Sequence, residues 1–178
     1  LADTIAMGKA LLAEGADALM VLTPYYARPT QSGIVTYFER LTDVLDCDLV
    51  LYEIPYRTGI SLKPETVEAI SRLTRVVAMK ACNQDIAQQT AVLDAAGANM
   101  AILSGEEHVF PTHVTLGARG GVLATSCLFP RLWAEIFGLA RAGHLERARA
   151  LHRRVMTAVD ALFAEHNPAP LKAAFAWL

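Results

Sequence analysis

Five short apolar segments recur along this 178-residue chain, and a stretch with the composition of a helix follows each of them. The segments are residues 18–23, 48–52, 75–80, 99–103 and 120–124. A run that is apolar throughout, rather than at every second position, is typical of a strand covered on both faces, as in a parallel sheet. Strands that alternate with helices indicate repeated right-handed βαβ units. The pattern therefore predicts an α/β fold, either a barrel or an open doubly wound sheet.

The helices of this fold are predicted from composition and from residues that begin or end a helix. Gly15 is expected to cap the first helix, Ser32 to be the N-cap of the second, and Pro64 to open the third. The predicted helices are 3–14, 32–45, 64–73, 85–96 and 106–116, and the chain is expected to be helical from about residue 125 to its end.

A complete (β/α)₈ barrel needs about 250 residues and eight strands. Five strands leave about three unaccounted for, so we expect a fragment that lacks the first strands and the extreme C-terminus. If the sheet closes into a barrel, residues 1–128 form a partial (β/α)₈ TIM barrel. Residues 129–178 are predicted to form a C-terminal helical segment packed on that barrel.

The overall composition excludes several classes of protein. Hydrophobic residues make up 53% of the chain and charged residues 19%, which is typical of a globular domain. A net charge of −2 gives no electrostatic support for a nucleic-acid or anionic-membrane partner. The sequence shows no transmembrane run and no leader pattern, so we expect a cytoplasmic location. The arginines between residues 141 and 154 are expected to form a solvated helix face.

Neither the cysteines nor the histidines indicate a metal site. Cys47, Cys82 and Cys127 are odd in number and far apart, which fits reduced thiols. His108 and His113 do not form an H-E-x-x-H motif, and helix-surface or capping roles are expected for them. No G-x-G-x-x-G or Walker pattern follows a strand, which disfavours nucleotide binding.

Lys80 is the most informative of the residues at which the strands end. Reactive groups of parallel α/β folds gather at the carboxyl ends of the strands. A period of two places Lys80 on the same face as Ala78 and Val76. Apolar surroundings on that face would favour the neutral amine, which is the form that attacks a carbonyl.

Two further side chains could act beside this lysine. Tyr52 ends the preceding strand, and neighbouring strands lie about 4.8 Å apart, so its phenol could relay protons to the same substrate. Arg57, in the loop after Tyr52, could hold a carboxylate in a two-pronged contact. Each residue also has an ordinary interpretation, namely a solvated lysine, a packing tyrosine and an arginine paired with a surface acid.

The amino-acid sequences of the loops, and their order along the chain, resemble those of the dihydrodipicolinate synthase and N-acetylneuraminate lyase family of Schiff-base aldolases. The resemblance covers nearly the whole chain and rests on T-P-Y-Y-A-R-P-T-Q at 23–31, L-Y-E-I-P-Y-R-T-G at 51–59, A-M-K at 78–80, L-S-G at 103–105, G-V at 121–122 and N-P at 167–168.

The resemblance implies a role for six residues. Lys80 would form an imine with pyruvate, and Tyr52 would be the proton-relay tyrosine. Tyr26 would be the tyrosine lent to a neighbouring subunit's site. Arg57 would bind a substrate carboxylate, as in the synthase branch. The remaining pocket-lining positions would be Gly105 and, through its backbone, Leu123.

The activity implied is that of a lyase or synthase that condenses pyruvate with a small aldehyde, as dihydrodipicolinate synthase does in lysine biosynthesis. A homotetramer built as a dimer of dimers would be the assembly. No metal or organic cofactor is expected, because the imine itself is the electron sink. The alternatives are an N-acetylneuraminate or keto-deoxy sugar-acid aldolase or dehydratase, and an oxo-acid-binding homologue without turnover.

The sequence departs from the family pattern at two places. Glu53 stands where the family commonly has Asn after the tyrosine, and Ala81-Cys82-Asn83 replaces the usual acidic and small residues after the lysine. Both departures bear on the second substrate. The Gly/Thr-rich loop with which the family holds the pyruvate carboxylate belongs to an earlier strand and is not in this sequence.

Overall fold

A computed structural model of the chain describes residues 1–177. Five strands form one sheet in the order β1-β2-β3-β4-β5. The strands are β1 Ala18–Leu22, β2 Asp48–Glu53, β3 Val76–Ala81, β4 Ala101–Ser104 and β5 Gly120–Gly121. The β1–β2 and β2–β3 pairs are parallel. The predicted α/β fold with a parallel sheet is therefore confirmed.

Helices separate the strands, as predicted. The bounds are α1 Ala2–Ala13, α2 Gln31–Val44, α3 Pro55–Thr58, α4 Pro64–Ser71, α5 Ile86–Ala96, α6 Phe110–Leu116, α7 Pro130–Arg141, α8 Leu145–Leu162 and α9 Ala169–Trp177, with a 3₁₀ turn at Ala124–Cys127.

The chain divides into two compact units, Leu1–Leu103 and Ser104–Leu178, so the division falls within β4. The two predicted segments, 1–128 and 129–178, stay a prediction. Among residues 1–177, no helix is both long and apolar enough to cross a membrane.

The first unit is built around the face of the sheet that its helices cover. Leu49 and Leu51 of β2 are fully buried there, and Ile34 and Phe38 of α2 belong to the same core. Fully burying one such side chain stabilises the fold by about 1.5–3 kcal/mol. The opposite face of β2 carries Val50 and Tyr52, which are only half-buried.

The strand register corrects one detail of the predicted site. Leu49 pairs with Val76, but Val50 pairs with Ala78, because the ladder is irregular at that point. The irregularity places Val76 on the helix-covered side, in the core with Leu49. Ala78 lies on the face of Lys80, as predicted, whereas the expectation that Val76 does so is wrong.

The second unit has a core of its own between α6, α7 and α8. Phe110 contacts Trp133 edge-on, with ring centroids 5.6 Å apart, and both are buried with Ile136 and Val159. Gly121 is required by close packing, because a Cβ there would lie 2.5 Å from the Phe110 ring. The arginines of α8 are exposed, as expected for a solvated face: Arg147, Arg149, Arg153 and Arg154.

Several boundaries differ from the predicted ones for local reasons. The short helix α3 was missed, since four residues carry no periodic signal. The last strand is only Gly120–Gly121, and the chain turns into the 3₁₀ segment at Ala124. The predicted strand, residues 120–124, is therefore three residues too long.

The N-cap of α2 is Thr30, and the expectation that Ser32 fills this role is wrong. Thr30 has extended backbone angles, and its Oγ1 accepts a hydrogen bond from the backbone N–H of Gly33 at 3.1 Å. Ser32 already lies inside the helix, so its hydroxyl is not placed to cap the first turn.

Replacing Thr30 with Ala is expected to lower the free energy of unfolding by about 1 kcal/mol, because the Gly33 N–H loses its acceptor. Chemical denaturation at fixed protein concentration measures the change. Ser32→Ala removes a hydroxyl that lies 3.1 Å from the Thr30 Oγ1 but keeps the acceptor for Gly33, so we expect a change within about 0.5 kcal/mol. Equal losses in the two variants would contradict the assignment of the cap.

Candidate active site

Lys80 and Tyr52 lie side by side at the carboxyl ends of β3 and β2. The two residues are direct partners in the parallel register, so their side chains leave the same face of the sheet. The Lys80 Nζ lies 4.3 Å from the centroid of the Tyr52 ring. The predicted neighbourhood of the amine and the tyrosine is therefore present in the structure.

The contact has two chemical consequences. The face of an aromatic ring attracts a cation, which contributes about 0.5–1 kcal/mol at a partly exposed site. The ring also covers one side of the amine, and both residues are half-buried.

Arg57 lies on α3, close to the carboxyl end of β2. Its helix spans Pro55–Thr58 and is capped by Gly59, which has a left-handed backbone with φ of 74°. The Thr58 hydroxyl donates to the backbone oxygens of Ile54, at 3.1 Å, and Ile60, at 3.3 Å. These bonds hold the turn rigid while the Arg57 side chain stays exposed.

Tyr26 belongs to a strained and exposed loop. It is 96% exposed and has φ of 65°, and Arg28 has φ of 46°. A left-handed backbone costs a residue other than glycine about 1–2 kcal/mol, and such strain is common at functional sites. Tyr26 and Arg57 both line an open cavity of about 600 Å³ together with Tyr25, Arg28, Tyr56, Thr58 and Gly59.

Gly59 fits this cavity because it lacks a side chain. A Cβ there would lie 2.7 Å from Nε of Arg28, and the positive φ would strain any other residue. The loop of Tyr26 thus packs closely on the loop of Arg57 through the Arg28 guanidinium.

The other two predicted site residues belong to the second unit. Gly105 is half-buried directly after β4, and Leu123 is buried and is the N-cap of the 3₁₀ turn. The backbone N–H of Val122 donates to the Ser104 oxygen at 2.8 Å, so the chain before Leu123 lies beside the chain before Gly105.

His113 contacts Ser104 at the end of β4, and the expectation that it lies on a helix surface is wrong. It is only 2% exposed, and its Nδ1 lies 2.7 Å from the Ser104 Oγ. Burial lowers the pKa of His113 to about 4, so the imidazole is neutral at pH 7. His108, by contrast, is exposed and lies 2.9 Å from an oxygen of Asp160.

Glu107 braces the 3₁₀ turn from inside. Its buried Oε1 accepts hydrogen bonds from the backbone N–H and the hydroxyl of Thr125, at 3.0 and 3.2 Å. The His152 Nε2 lies 2.8 Å from the Glu107 backbone oxygen. Glu107 and Thr125 are therefore paired inside the second unit, whereas the buried His113 Nε2 and Trp133 Nε1 have no hydrogen-bond partner among residues 1–177.

Glu53 follows Tyr52 in the chain but lies on the other side of the sheet, among the buried residues. It is 0% exposed, and its Oε1 accepts a hydrogen bond from the backbone N–H of Leu62 at 2.9 Å. Burial raises the pKa of Glu53 to about 7, and the Leu62 N–H and the side chains of Asn83 and Ser61 oppose the rise.

Metal ligands are not grouped in the part of the chain that the structure describes. There, residues 1–177 hold no cluster of three or more His, Cys, Asp or Glu side chains that could bind a metal ion. The chemistry that the first unit supports is that of an amine beside a phenol.

Comparison with known proteins identifies the family. The model of the dihydrodipicolinate synthetase family matches residues 1–178, the whole chain. The chain belongs to this family. The resemblance seen in the sequence motifs is thus confirmed.

Relatives within the dihydrodipicolinate synthetase family share about a third of the aligned residues. A 4-hydroxy-tetrahydrodipicolinate synthase of Methanothrix thermoacetophila is 35% identical over 92% of this chain and 56% of its own length. One of Geobacter sulfurreducens is 32% identical over 97% of this chain and 60% of its own length. The chain therefore spans less than two thirds of the length of these relatives.

Solved structures of the family show the same fold. Dihydrodipicolinate synthase from Thermotoga maritima superposes with a TM-score of 0.93 at 31% identity, covering 98% of this chain and 60% of that one. The enzyme from Acinetobacter baumannii, solved in complex with pyruvate, has a TM-score of 0.91 at 31% identity, covering 97% and 59%.

Three residues near the family's motifs carry structural roles that the sequence did not reveal. Arg28 braces the Tyr26 loop, Glu53 anchors the segment after β2, and His113 contacts Ser104. Each role depends on burial or on a partner that is distant in the chain. The periodicity of hydrophobic residues predicts helices and strands but not such contacts. The departure at position 53 was the one available signal.

The buried Glu53 should make stability fall as pH rises. Its folded pKa, about 7, lies above the unfolded value of 4.5, so the folded state binds the extra proton between these limits. Stability is fully present below pH 4.5 and is lost as pH rises through 7, by up to about 3 kcal/mol. Glu53→Gln should remove this loss, as measured by urea unfolding of the complete protein at pH 5 and pH 8.

Glu65→Gln is the matched control for this experiment, because Glu65 is exposed on α4. The control should keep the pH dependence of the wild type. If Glu53→Gln keeps it as well, burial does not raise the pKa of Glu53.

His113 should act on stability with the opposite sign. Its folded pKa, about 4, lies below the unfolded value of 6.5, so stability is complete above pH 6.5 and is lost as pH falls towards 4. The expected loss is about 3 kcal/mol and should be absent from His113→Gln in urea unfolding at pH 7 and pH 4.5. His144→Gln, an exposed control, should lose as much stability as the wild type.

Proposed function

We propose that the protein containing this chain is a Schiff-base lyase of the dihydrodipicolinate synthase type, which condenses pyruvate with a small aldehyde. The observation that carries the proposal is the contact between Lys80 and Tyr52, with Nζ 4.3 Å from the ring centroid. Relatives named 4-hydroxy-tetrahydrodipicolinate synthase and a solved structure with pyruvate bound support it.

In the proposed reaction, Lys80 is the nucleophile. The neutral amine attacks the keto carbon of pyruvate, and loss of one water gives an imine. The imine draws electrons from the adjacent methyl group, which releases a proton and becomes a nucleophilic enamine. The enamine carbon attacks the aldehyde, whose oxygen takes up a proton. Water or the product's own amine then releases the product from Lys80.

Tyr52 is the proposed proton relay. Its ring centroid lies 4.3 Å from the amine, and the proposed role requires its hydroxyl to reach the carbinolamine as that intermediate loses water. A positioned acid or base of this kind contributes about 10²–10⁴-fold to the rate of a proton transfer. Gly105 and Leu123 are the proposed pocket-lining residues of the second unit.

Arg57 is the proposed anchor for the carboxylate of the aldehyde. A guanidinium binds a carboxylate through two parallel hydrogen bonds, and Arg57 is exposed on α3 at the edge of the open cavity. An aldehyde that carries a carboxylate, such as aspartate semialdehyde, is therefore the proposed second substrate.

Tyr26 is the residue proposed to enter the active site of a neighbouring subunit. It is 96% exposed on a strained loop, so it is free to reach a second copy of the chain. A homotetramer built as a dimer of dimers is the proposed assembly, and a cytoplasmic location stays a prediction.

Borohydride reduction in the presence of pyruvate tests the central step. The complete protein should gain one stable pyruvate adduct, which peptide mass spectrometry should locate at Lys80. Lys80→Arg should gain none, and Lys63→Arg, which alters an exposed lysine, should react as the wild type does. An unmodified Lys80 in the wild type would overturn the proposed function.

A further inference from the structure

Glu53 is a buried carboxyl group that the proposed reaction does not use. It is the last residue of β2, and its partner across the strand pair is Ala81, whereas Tyr52 is the partner of Lys80. Adjacent residues of a strand point to opposite faces, so the Glu53 carboxyl lies on the other side of the sheet from the amine. It is therefore not placed to exchange protons with a substrate at Lys80.

The carboxyl group joins the end of β2 to a backbone segment nine residues further along. Its Oε1 accepts hydrogen bonds from the Leu62 N–H at 2.9 Å and from the Ser61 hydroxyl at 3.4 Å. Because Leu62 is buried, its N–H has no access to bulk solvent and needs this acceptor. The contact closes residues 54–61 into a loop with fixed ends.

The closed loop is the one that carries Arg57. The helix α3 spans only Pro55–Thr58. A helix of one turn is not stable in water by itself, because nucleation costs more than one hydrogen bond returns. The turn therefore depends on further contacts, of which the Thr58 hydroxyl supplies two and the Glu53 carboxyl supplies one at Leu62.

Other motif loops converge on the same segment. The Gln31 side chain donates to the Ser61 oxygen at 3.1 Å and accepts from the Lys63 N–H at 3.0 Å. Asn83, three residues after Lys80, donates to the Ser61 Oγ at 2.9 Å. The two departures from the family pattern, at Glu53 and at Asn83, thus meet at one hydroxyl group.

We propose that Glu53 is a positioning residue that sets the affinity for the carboxylate of the second substrate by fixing the turn that presents Arg57. The inference rests on the proposed function. It concerns the aldehyde alone, because Glu53 lies on the opposite face of the sheet from Lys80.

Stability accounts for a hydrogen-bond acceptor at position 53 but does not require an ionisable one. An apolar side chain of similar size would avoid the cost of burying an ionisable group, and replacing buried charges by apolar residues is often neutral or stabilising. What an apolar side chain lacks is an acceptor for Leu62. By accepting the Leu62 hydrogen bond, Glu53 also fixes the geometry of the loop that carries Arg57.

Steady-state kinetics of the complete protein with pyruvate and aspartate semialdehyde tests the proposal. Glu53→Met removes the acceptor at similar volume and should raise KM for the semialdehyde about tenfold, the loss expected for one hydrogen bond to a charged group. KM for pyruvate should stay within about twofold, a change of 0.4 kcal/mol. Glu53→Gln keeps an acceptor oxygen and should restore the wild-type KM, and Glu65→Gln is the exposed control.

A double-mutant cycle shows whether the effect passes through Arg57. In an Arg57→Ala background, Glu53→Met should raise KM for the semialdehyde no further, because the contact that it positions is already gone. Additive effects would overturn the proposal, as would a parallel rise of both KM values in the single variant. If Glu53→Met fails to fold, Ser61→Ala decides in the same way: a selective rise for the semialdehyde supports the proposal and unchanged values overturn it.

The pyruvate adduct at Lys80 distinguishes failure of the proposed function from failure of the positioning role of Glu53. A wild-type protein without an adduct at Lys80 overturns the proposed function, and this inference with it. A protein that forms the adduct but consumes no semialdehyde overturns the proposed second substrate, and this inference with it. A protein that forms the adduct and consumes the semialdehyde with a KM insensitive to Glu53→Met overturns this inference alone.

Discussion

The parallel register between β2 and β3 is the constraint on which the candidate site depends. It makes Tyr52 the direct partner of Lys80 and so places a phenol ring 4.3 Å from an amine. A shift of one residue would turn Lys80 to the helix-covered face and bring Ala81 or Met79 to its place, because side chains alternate along a strand. The buried leucines of β2 secure this register, since they leave the core only at a cost of several kcal/mol.

The same alternation gives the end of β2 two separate tasks. Tyr52 faces the amine, and Glu53, the next residue, faces the core and holds the loop of Arg57 through Leu62. One strand end therefore presents a reactive group on one face and organises the neighbouring loop from the other. Strain in the Tyr26 loop and the close packing of Arg28 on Gly59 act on the same region.

Much of the fold could be predicted because its signals are local. The apolar runs, Pro64 at a helix start and Gly15 after the first helix report on neighbouring residues, and the structure has elements there. The loop motifs, taken together, also indicated the family whose model matches the chain. Errors arose where local signals compete: Thr30 and Ser32 are both good N-caps, and only the helix bounds decide between them.

The sequence by itself determined the alternation of strands and helices and the residues at which the strands end, because hydrophobic period and turn chemistry act over a few residues. Only the tertiary structure decided that Val76 joins the core, that Glu53 and His113 are buried, and that the Tyr52 ring lies on Lys80. These features depend on register and on burial by distant segments. These contacts join residues that are far apart in the chain, so a short stretch of the sequence cannot predict them.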